Sequence, residues 1–328
     1  MGRLSEQLLR RWVMLVLGAM VALLMVTGVG IAGADDGGGP GHAESSAATP
    51  VATTEDDWRA VAGELGRPGV LSADGLVYRV TFPRNDLVVT SYGVAIEPAL
   101  GLFSYAAFSR YPDGTVVMMG DLLTTESEQP AATDAVRAGG VELTAVHKHL
   151  LAHDPDLWWN HFHGSGTDPV AMAATVRKAL DRTSTPPPAP CQSSGGLDLD
   201  TAAIDAALGA TGLSDCGIYR FTFQRNETVT SHNRVLAPDM GVTTAISFQP
   251  LGGGRAAISG DFAMTAGEVQ DVIKKLRTGD IQIVELHQHS LDDQPRLFYM
   301  HFWAVDDAAA LAGALGAAVQ EHNVNPAG

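Results

Sequence analysis

The chain repeats itself once, and this internal duplication restricts the folds that it can adopt. The segment YRVTFPRN at positions 78–85 matches YRFTFQRN at positions 219–226, and Gly120-Asp121 recurs as Gly260-Asp261. A repeat period of about 140 residues is much longer than the roughly 20–50 residues of solenoid repeats. The sequence therefore predicts two similar domains in tandem.

Each half also carries three histidines at the same spacing. Both copies read H-x-H, then eleven residues, then H. The six positions are His147, His149 and His161 in the first half and His287, His289 and His301 in the second. This recurrence indicates where the polar chemistry of the protein is concentrated.

The pattern of apolar residues predicts the same order of strands and helices in both halves. In the first half it predicts helices at 57–66, 126–138 and 168–182, and strands at 76–82, 87–96, 103–111, 115–123, 141–151 and 157–163. Strands with interspersed helices indicate an α+β fold, with each sheet mostly antiparallel and covered by helices on one face. A ferredoxin-like variant is compatible with this order.

Shifts in composition predict the domain boundaries. We expect a signal peptide or N-terminal membrane anchor at 1–34, a flexible tether at 35–56, the first repeat domain at 57–182, a Pro/Ser/Gly linker at 183–197, the second repeat domain at 198–322 and a C-terminal tail at 323–328. Basic residues precede an apolar run that ends in the A-x-A pattern at 32–34. This pattern is typical of a signal peptide, but the run is also long enough to span a bilayer. In both cases the folded part lies outside the cytoplasm, either secreted or anchored to the cytoplasmic membrane.

Charge and cysteine content restrict the partners and the compartment. The chain has 37 acidic against 21 basic residues, for a net charge of −16. Such a surface repels phosphate backbones, so nucleic-acid binding is not expected. Membrane contact is expected only through the N-terminal segment, and no motif identifies a protein partner. Cys191 and Cys216 are expected to form a disulfide, with two free thiols as the alternative.

Alternation along the strands predicts how the histidines converge. His147 and His149 share one strand face, and a turn at Asp154-Pro155 would set His161 opposite His147 and Trp159 opposite His149. His163 continues the same face.

The second half predicts an equivalent arrangement. A turn centred on Gln294 would set His287 opposite His301 and His289 opposite Tyr299, and Trp303 takes the place of His163. Each half would then hold its own histidine triad.

Three interpretations of these triads remain open. In the first, three imidazoles bind one divalent metal ion (zinc, copper, iron or nickel) and leave a position for water or substrate. In the second, the histidines form a structural polar face of the sheet, where they bond to neighbouring groups and stack on Trp159 or Tyr299. In the third, the histidines line a metal-free ligand groove, together with Trp159, His163, Tyr299 and Trp303.

Acidic residues near the histidines have competing interpretations. Glu128 and Glu268 each follow a threonine by three residues at a predicted helix start, which favours a capping box over metal ligation or acid–base chemistry. Asp121 and Asp261 are the candidate catalytic residues; each would support a ligating histidine or simply end a strand.

Other polar residues are assigned to the surface or to turns. Arg84 and Arg225, each followed by asparagine, suit hairpin turns. The remaining histidines have no partner at the matching position of the other half, so they are expected on the surface: His42, His153, His232 and His322.

Two further blocks resemble a known family. The blocks ELHQH at 285–289 and PRLFYMHF at 295–302, together with Gly260-Asp261 and a following helix rich in Ala and Leu, resemble the LppY/LpqO family of mycobacterial lipoproteins and their bacterial relatives. The resemblance covers residues 57–320 in two copies. The first copy departs from it with Asp156 and an added His163, and the chain lacks the lipid-accepting cysteine. The resemblance implies export and duplication, but the family is itself a domain of unknown function and implies no activity.

The sequence thus favours an exported cell-envelope protein that binds a divalent metal or a small ligand through its two histidine hairpins. A metal-dependent hydrolase is the alternative, and a non-catalytic envelope interaction protein is a third hypothesis. Whether the chain is an enzyme is left open by the sequence.

Overall fold

A computed structural model describes residues 46–191 and 197–327. The predicted leader at 1–34, the first part of the predicted tether, His42, residues 192–196 of the predicted linker and residue 328 lie outside the described residues. Within the described part, no helix is both long and apolar enough to cross a membrane. The described residues belong to one compact unit that contains both repeats.

The first repeat contains nine strands and three α-helices. The strands are β1 (Val70–Leu71), β2 (Tyr78–Pro83), β3 (Val89–Ser91), β4 (Val94–Ile96), β5 (Phe103–Arg110), β6 (Val116–Thr125), β7 (Glu142–His147), β8 (His153–Asp154) and β9 (Leu157–Gly166). The helices are α1 (Arg59–Leu65), α2 (Gln129–Ala138) and α3 (Pro169–Leu180). Short 3-10 helices span Glu55–Trp58 and Pro98–Leu100.

The second repeat follows the same order. Its strands are β10 (Leu213–Asp215), β11 (Ile218–Arg225), β12 (Thr230–Ser231), β13 (Arg234–Val235), β14 (Thr243–Gly252), β15 (Arg255–Thr265), β16 (Gln282–His287), β17 (Leu297–Asp307) and β18 (Val324–Pro326). Its helices are α4 (Thr201–Leu208), α5 (Val269–Thr278) and α6 (Ala308–Val319), and a 3-10 helix spans Pro238–Met240.

Each repeat builds one main antiparallel sheet. The strand orders are β1-β2-β5-β6-β9-β7 and β10-β11-β14-β15-β17-β16, with β18 paired to β11. Because β9 is antiparallel to both β6 and β7, those two strands run parallel with β9 inserted between them. This split β-α-β arrangement occurs in ferredoxin-like folds. The predicted α+β class with two similar, mostly antiparallel domains is confirmed.

Alternation along the strands decides which side chains face the helices. Tyr78, Val80 and Phe82 of β2 pack in a core with helices α1, α2 and α3. Strand β11 repeats this pattern in the core beneath α4, α5 and α6. The intervening Arg79 and Arg220 lie on the other face of their sheets.

The sheet faces that the helices leave free pack against each other. One apolar cluster combines Tyr105 and Met119 of the first repeat with Tyr299 of the second. Another combines Trp159 with Trp303. The molecule therefore has four layers, with the two sheets between two layers of helices, and burial of the inner sheet faces joins the repeats into one unit.

Two segments predicted to lie outside the domains join the fold. In the predicted tether, Val51 N donates to Arg110 O at 2.8 Å and Ala48 N donates to Asn233 O at 3.1 Å. In the predicted tail, β18 pairs with β11. Backbone groups make these contacts. The contacts therefore do not require a periodic pattern of apolar side chains, and the sequence does not predict them.

Candidate functional site

The histidines lie where the inner faces of the two sheets meet. Pairing of β6 with β9 sets Asp121 opposite His161, and pairing of β15 with β17 sets Asp261 opposite His301. The recurring Gly-Asp pair therefore brings each carboxylate beside the third histidine of its own repeat.

The pairing of β7 with β9 differs from the predicted pairing by two residues. His147 lies opposite Trp159, and His161 lies opposite Ala145. The predicted strand register, with His147 opposite His161 and His149 opposite Trp159, is therefore wrong. Strand β7 ends at His147, and the longer connection that follows replaces a tight turn. A shift by two residues preserves the face of the sheet, so His161 stays on the inner face.

The second repeat shows the same difference. His287 lies opposite Tyr299, and His301 lies opposite Glu285, which corrects the predicted His287–His301 and His289–Tyr299 pairs. His289 follows the end of β16, just as its counterpart follows β7.

The six histidines form one cluster rather than a separate triad on each hairpin. Each histidine of one repeat packs against a histidine of the other, with ring centroids 3.9 Å apart: His147 with His287, His149 with His301, and His161 with His289. Contact between the inner sheet faces brings the triads together, which patterns within one repeat do not predict.

Two sets of three ligand atoms in the described residues lie within 4.8 Å of one another. One set is Asp121, His147 and His149; the other joins His147 to His287 and His301. Asp121 Oδ2 lies 3.6 Å from His147 Nε2 and 3.4 Å from His149 Nε2. Two nitrogens bound to one tetrahedral zinc ion are about 3.4 Å apart. The first set therefore already has nearly the spacing of metal ligands.

Backbone carbonyls orient two histidines of the second repeat. His301 Nδ1 lies 3.0 Å from Gly260 O, and His289 Nδ1 lies 3.0 Å from Gly241 O. Because a carbonyl oxygen only accepts, each Nδ1 carries the proton and donates it. The Nε2 lone pairs are then available to a ligand, in the tautomer that metal-binding histidines adopt.

Several buried polar atoms of the cluster have no hydrogen-bond partner among the described residues. They are His147 Nδ1, His161 Nδ1, both ring nitrogens of His287, His301 Nε2 and Asp121 Oδ1. Unpartnered buried polar groups are uncommon because each loses the hydrogen bonds that water would give it. Their concentration at one place indicates a site for a ligand.

Burial keeps the imidazoles neutral. Desolvation, reinforced by neighbouring histidines, holds the pKa of four rings well below the usual 6.5: His147, His149, His161 and His287. Burial also lowers the pKa of His289 to about 3 and of His301 to about 4. Neutral imidazole is the form that binds metal ions.

Burial affects the two carboxyl groups in the opposite direction. Desolvation, and then the charge of Asp261, raise the pKa of Asp121 to about 8. Desolvation raises the pKa of Asp261 to about 7. A bound cation would offset this cost, since it favours both carboxylates in their charged form.

A cleft of about 650 Å³ opens onto the cluster. Its lining includes both carboxyl residues and four of the histidines: Asp121, Asp261, His149, His161, His289 and His301. Arg79 and Arg220 also line it. Neither arginine was predicted as a site residue, although the alternation Tyr-Arg-x-Thr-Phe in both repeats places each of them on the face opposite the helix-packed core.

The expected disulfide between Cys191 and Cys216 is confirmed, with Cα atoms 5.7 Å apart. Both cysteines lie in the lining of the cleft. A disulfide indicates an oxidising, extracytoplasmic environment.

The predicted ligand-lining residues lie behind the histidines rather than in the cleft. Trp159 stacks on His149 at 4.2 Å between ring centroids, and Tyr299 stacks on His289 at 3.4 Å. Trp303 packs in an apolar cluster. Among the described residues, the cleft lining includes none of these three aromatic residues.

His163, the fourth predicted ligand-lining residue, also lies outside the cleft lining. It is 2% exposed and packs edge-on against His232, with ring centroids 5.3 Å apart. His232 is exposed, as expected. The expectation of a surface position is wrong for His153 and His322, which are buried and bond to Leu150 O and to Thr244 Oγ1.

Glu128 and Glu268 lie away from the cluster, near the starts of α2 and α5. Glu128 Oε2 accepts from Thr125 N at 2.9 Å, and Glu268 Oε2 accepts from Thr265 N at 2.6 Å, which are contacts of a capping box. Each also pairs with a buried arginine. These glutamates therefore serve the fold.

Those arginines are Arg84 and Arg225, which were expected in hairpin turns. The Arg84 side chain is fully buried, and its Nη1 lies 2.9 Å from Glu128 Oε2. Arg225 Nη1 lies 2.7 Å from Glu268 Oε2. The turn after Arg84 is present, with Leu87 N donating to Arg84 O at 3.2 Å. The burial of the two side chains was not predicted, because an ion pair between distant positions leaves no local sequence signal.

Three solved structures, two of them microcompartment shell proteins, are similar to the chain at low TM-score. A double-ringed trimeric shell protein of the RMM microcompartment is 9% identical and covers 63% of this chain and 82% of its own, with a TM-score of 0.18. EtuB from Clostridium kluyveri is 14% identical over 79% of this chain and 94% of its own, with a TM-score of 0.19. The trimeric shell protein PduB is 14% identical over 76% and 88%, also at 0.19. Likeness at this level supports no statement about function.

No curated protein matches the chain. A family model, in contrast, matches both repeats and covers most of the cluster-forming strands. The chain therefore belongs to the family described as Domain of Unknown Function (DUF1259), whose model matches residues 59–182 and again residues 202–321.

Proposed function

We propose that the protein binds divalent transition-metal ions in the histidine cluster shared by its two repeats. The observation that carries this proposal is His301. Its Nδ1–H is held by the Gly260 carbonyl, and its buried Nε2 has no partner among the described residues. His301 belongs to a set of three histidines from both repeats whose ligand nitrogens lie within 4.8 Å of one another. Imidazole suits zinc, copper, iron and nickel, so the ligand set does not select one of them.

Energetics favour metal binding over a purely structural role for the histidines. A structural cluster would be expected to pair its nitrogens with protein groups, because an unsatisfied buried polar atom costs about 1–3 kcal/mol. Both ring nitrogens of His287 lack such partners in the described part of the chain. Coordination would satisfy one nitrogen of this ring and offset the charge of Asp121.

Metal analysis of the purified protein tests the proposal. After incubation with zinc and removal of free metal, we expect bound zinc in the wild type and a loss of at least about tenfold in affinity for His287→Ala. The matched control is His232→Ala, because His232 is exposed and outside the cluster. Equal zinc affinity in both variants, or no zinc in the wild type, would contradict the proposal; nickel and copper are tested in parallel.

A metal-dependent hydrolase is the second candidate, favoured by the cleft that gives a substrate access to the cluster. Asp121 Oδ2 lies beside His147 and His149, where a carboxylate could accept a proton from a metal-activated water. We expect hydrolysis of p-nitrophenyl acetate or phosphate that a chelator abolishes and that Asp121→Asn lowers at least about a hundredfold. Turnover that is unaffected by the chelator would exclude this candidate, and Asp134→Asn on the exposed face of α2 is the control.

We also propose that the protein is exported, secreted or membrane-anchored, as the leader pattern and the resemblance to LppY/LpqO proteins suggest. The disulfide supports an extracytoplasmic location. Mass spectrometry of the N-terminus from the native host distinguishes the two forms, because cleavage is expected after Ala34 in the secreted form only.

A further inference from the structure

We infer that the cleft takes a small organic anion, held at a carboxylate or phosphate group by Arg79 and Arg220. The inference names the ligand class of the proposed metal site and rests on it for the placement of the ligand beside the metal. The anion contact itself depends only on the two arginines.

Arg79 is held in place by an aromatic ring rather than by an ion pair. Its guanidinium carbon lies 3.5 Å from the centroid of the Tyr105 ring. Its charge acts on Asp121, Asp239 and Asp261, but among the described residues none of these carboxyl groups forms an ion pair with it. The cation–π contact fixes the plane of the guanidinium. A fixed guanidinium offers two parallel N–H donors that match a carboxylate or a phosphate.

Arg220 is the equivalent residue of the second repeat. It donates to Ala99 O, its buried Nε has no hydrogen-bond partner in the described part of the chain, and Asp215 Oδ2 lies 4.0 Å away. Burial lowers the pKa of Arg220, but an arginine stays charged in proteins. An anion in the cleft would offset the cost of burying this charge.

The position of Arg79 links the anion to the cluster. The Tyr105 hydroxyl, on the ring that Arg79 covers, lies 3.4 Å from His161 Nε2. A group bound by Arg79 is therefore separated from the histidines by a single aromatic ring. A ligand anchored there can extend its remaining part toward the metal ligands.

The lining indicates the rest of the ligand. Apolar side chains of Val70, Val77, Leu100 and Phe103 line the cleft, and its volume of about 650 Å³ is typical of small-molecule sites. Asp215 and Asp239 also line it and would repel a polyanion. A ligand with one anionic group and an apolar body fits best.

Isothermal titration calorimetry with three probes tests the inference: hexanoate, hexyl phosphate and the neutral hexanamide. We expect at least one anion to bind and hexanamide to bind at least about tenfold more weakly. Arg79→Met with Arg220→Met should weaken anion binding at least about tenfold. Arg255→Met, an exposed arginine outside the cleft, should leave it unchanged.

The outcomes separate this inference from the metal proposal. The titrations are run on zinc-loaded and chelator-treated protein, and zinc content is measured for each variant. Zinc binding without any anion binding, or anion binding that is unchanged in the double variant, overturns the inference alone. Arg-dependent anion binding without zinc binding supports the inference and overturns only the metal proposal. If the double variant does not fold, Arg79→Lys replaces it, and weaker anion binding is expected because lysine keeps the charge but lacks the planar fork.

Discussion

At the scale of single residues, the ion pair between Arg225 and Glu268 fixes the start of α5. Burial would raise the pKa of Glu268, but hydrogen bonds from Arg225, Asn323 N and Thr265 outweigh it and lower the pKa to about 2. The carboxylate thus stabilises the folded state only while it is charged. The equivalent pair in the first repeat joins Arg84 to Glu128.

The pH dependence of stability follows from this shift. Because the folded-state pKa lies below the unfolded value of about 4.3, the contribution of Glu268 is complete above that value and is lost as pH falls toward 2. A shift of this size corresponds to at most about 3 kcal/mol. We expect Glu268→Gln to lower the free energy of unfolding by about 2 kcal/mol at pH 7, with the difference from wild type shrinking below pH 4.

Urea unfolding at a series of pH values measures this difference. The matched control is Glu64→Gln, because Glu64 is exposed on α1 and its replacement should change stability by less than about 0.5 kcal/mol. A Glu268→Gln difference that is constant from pH 7 to pH 3 would contradict the account of this ion pair.

At the scale of secondary-structure elements, the glycine of each Gly-Asp pair lets neighbouring strands approach. A Cβ at Gly260 would overlap the carbonyl oxygen of Ala245 on β14. A Cβ at Gly120 would overlap Tyr105 O and the ring of Phe162. Since the Gly260 carbonyl also holds His301, this close packing positions the candidate site.

Replacement of Gly260 by alanine should therefore affect both stability and the site. We expect Gly260→Ala to cost about 1–3 kcal/mol of unfolding free energy through overpacking and to weaken metal binding, because His301 loses its fixed orientation. Thermal unfolding and zinc titration measure the two effects.

Gly313→Ala is the matched control. Gly313 is exposed within α6, and a Cβ there meets nothing within 4 Å, so alanine should stabilise the helix by about 0.5–1 kcal/mol. Equal melting temperatures for the two variants would argue against close strand packing at Gly260.

The elements also show what the sequence can and cannot predict. Apolar periodicity and the duplication predict the α+β class and the order of elements, because these depend on local patterns. The pairing of β7 with β9 depends on the length of the connection after His147, which the turn residues do not reveal. The burial of Arg84 depends on Glu128, a residue 44 positions away.

At the scale of the whole molecule, the two repeats share one site. The inner sheet faces carry two apolar clusters, and an aromatic residue of each cluster stacks on a histidine. Packing of the two sheets therefore brings all six imidazole rings together. The sequence shows the six histidines and predicts that each repeat places its three on one sheet face. It does not predict that His149 meets His301, because contact between repeats leaves no trace within either repeat.

Zinc stoichiometry of single and combined variants distinguishes one shared site from a separate site in each repeat. His147 belongs to both sets of converging ligands, and one of these sets includes His301. If the site is shared, His147→Ala alone removes the bound zinc, and adding His301→Ala causes no further loss. If each repeat instead binds its own ion, each single variant keeps half of the zinc and only the double variant loses all of it. That result would rule out a shared site.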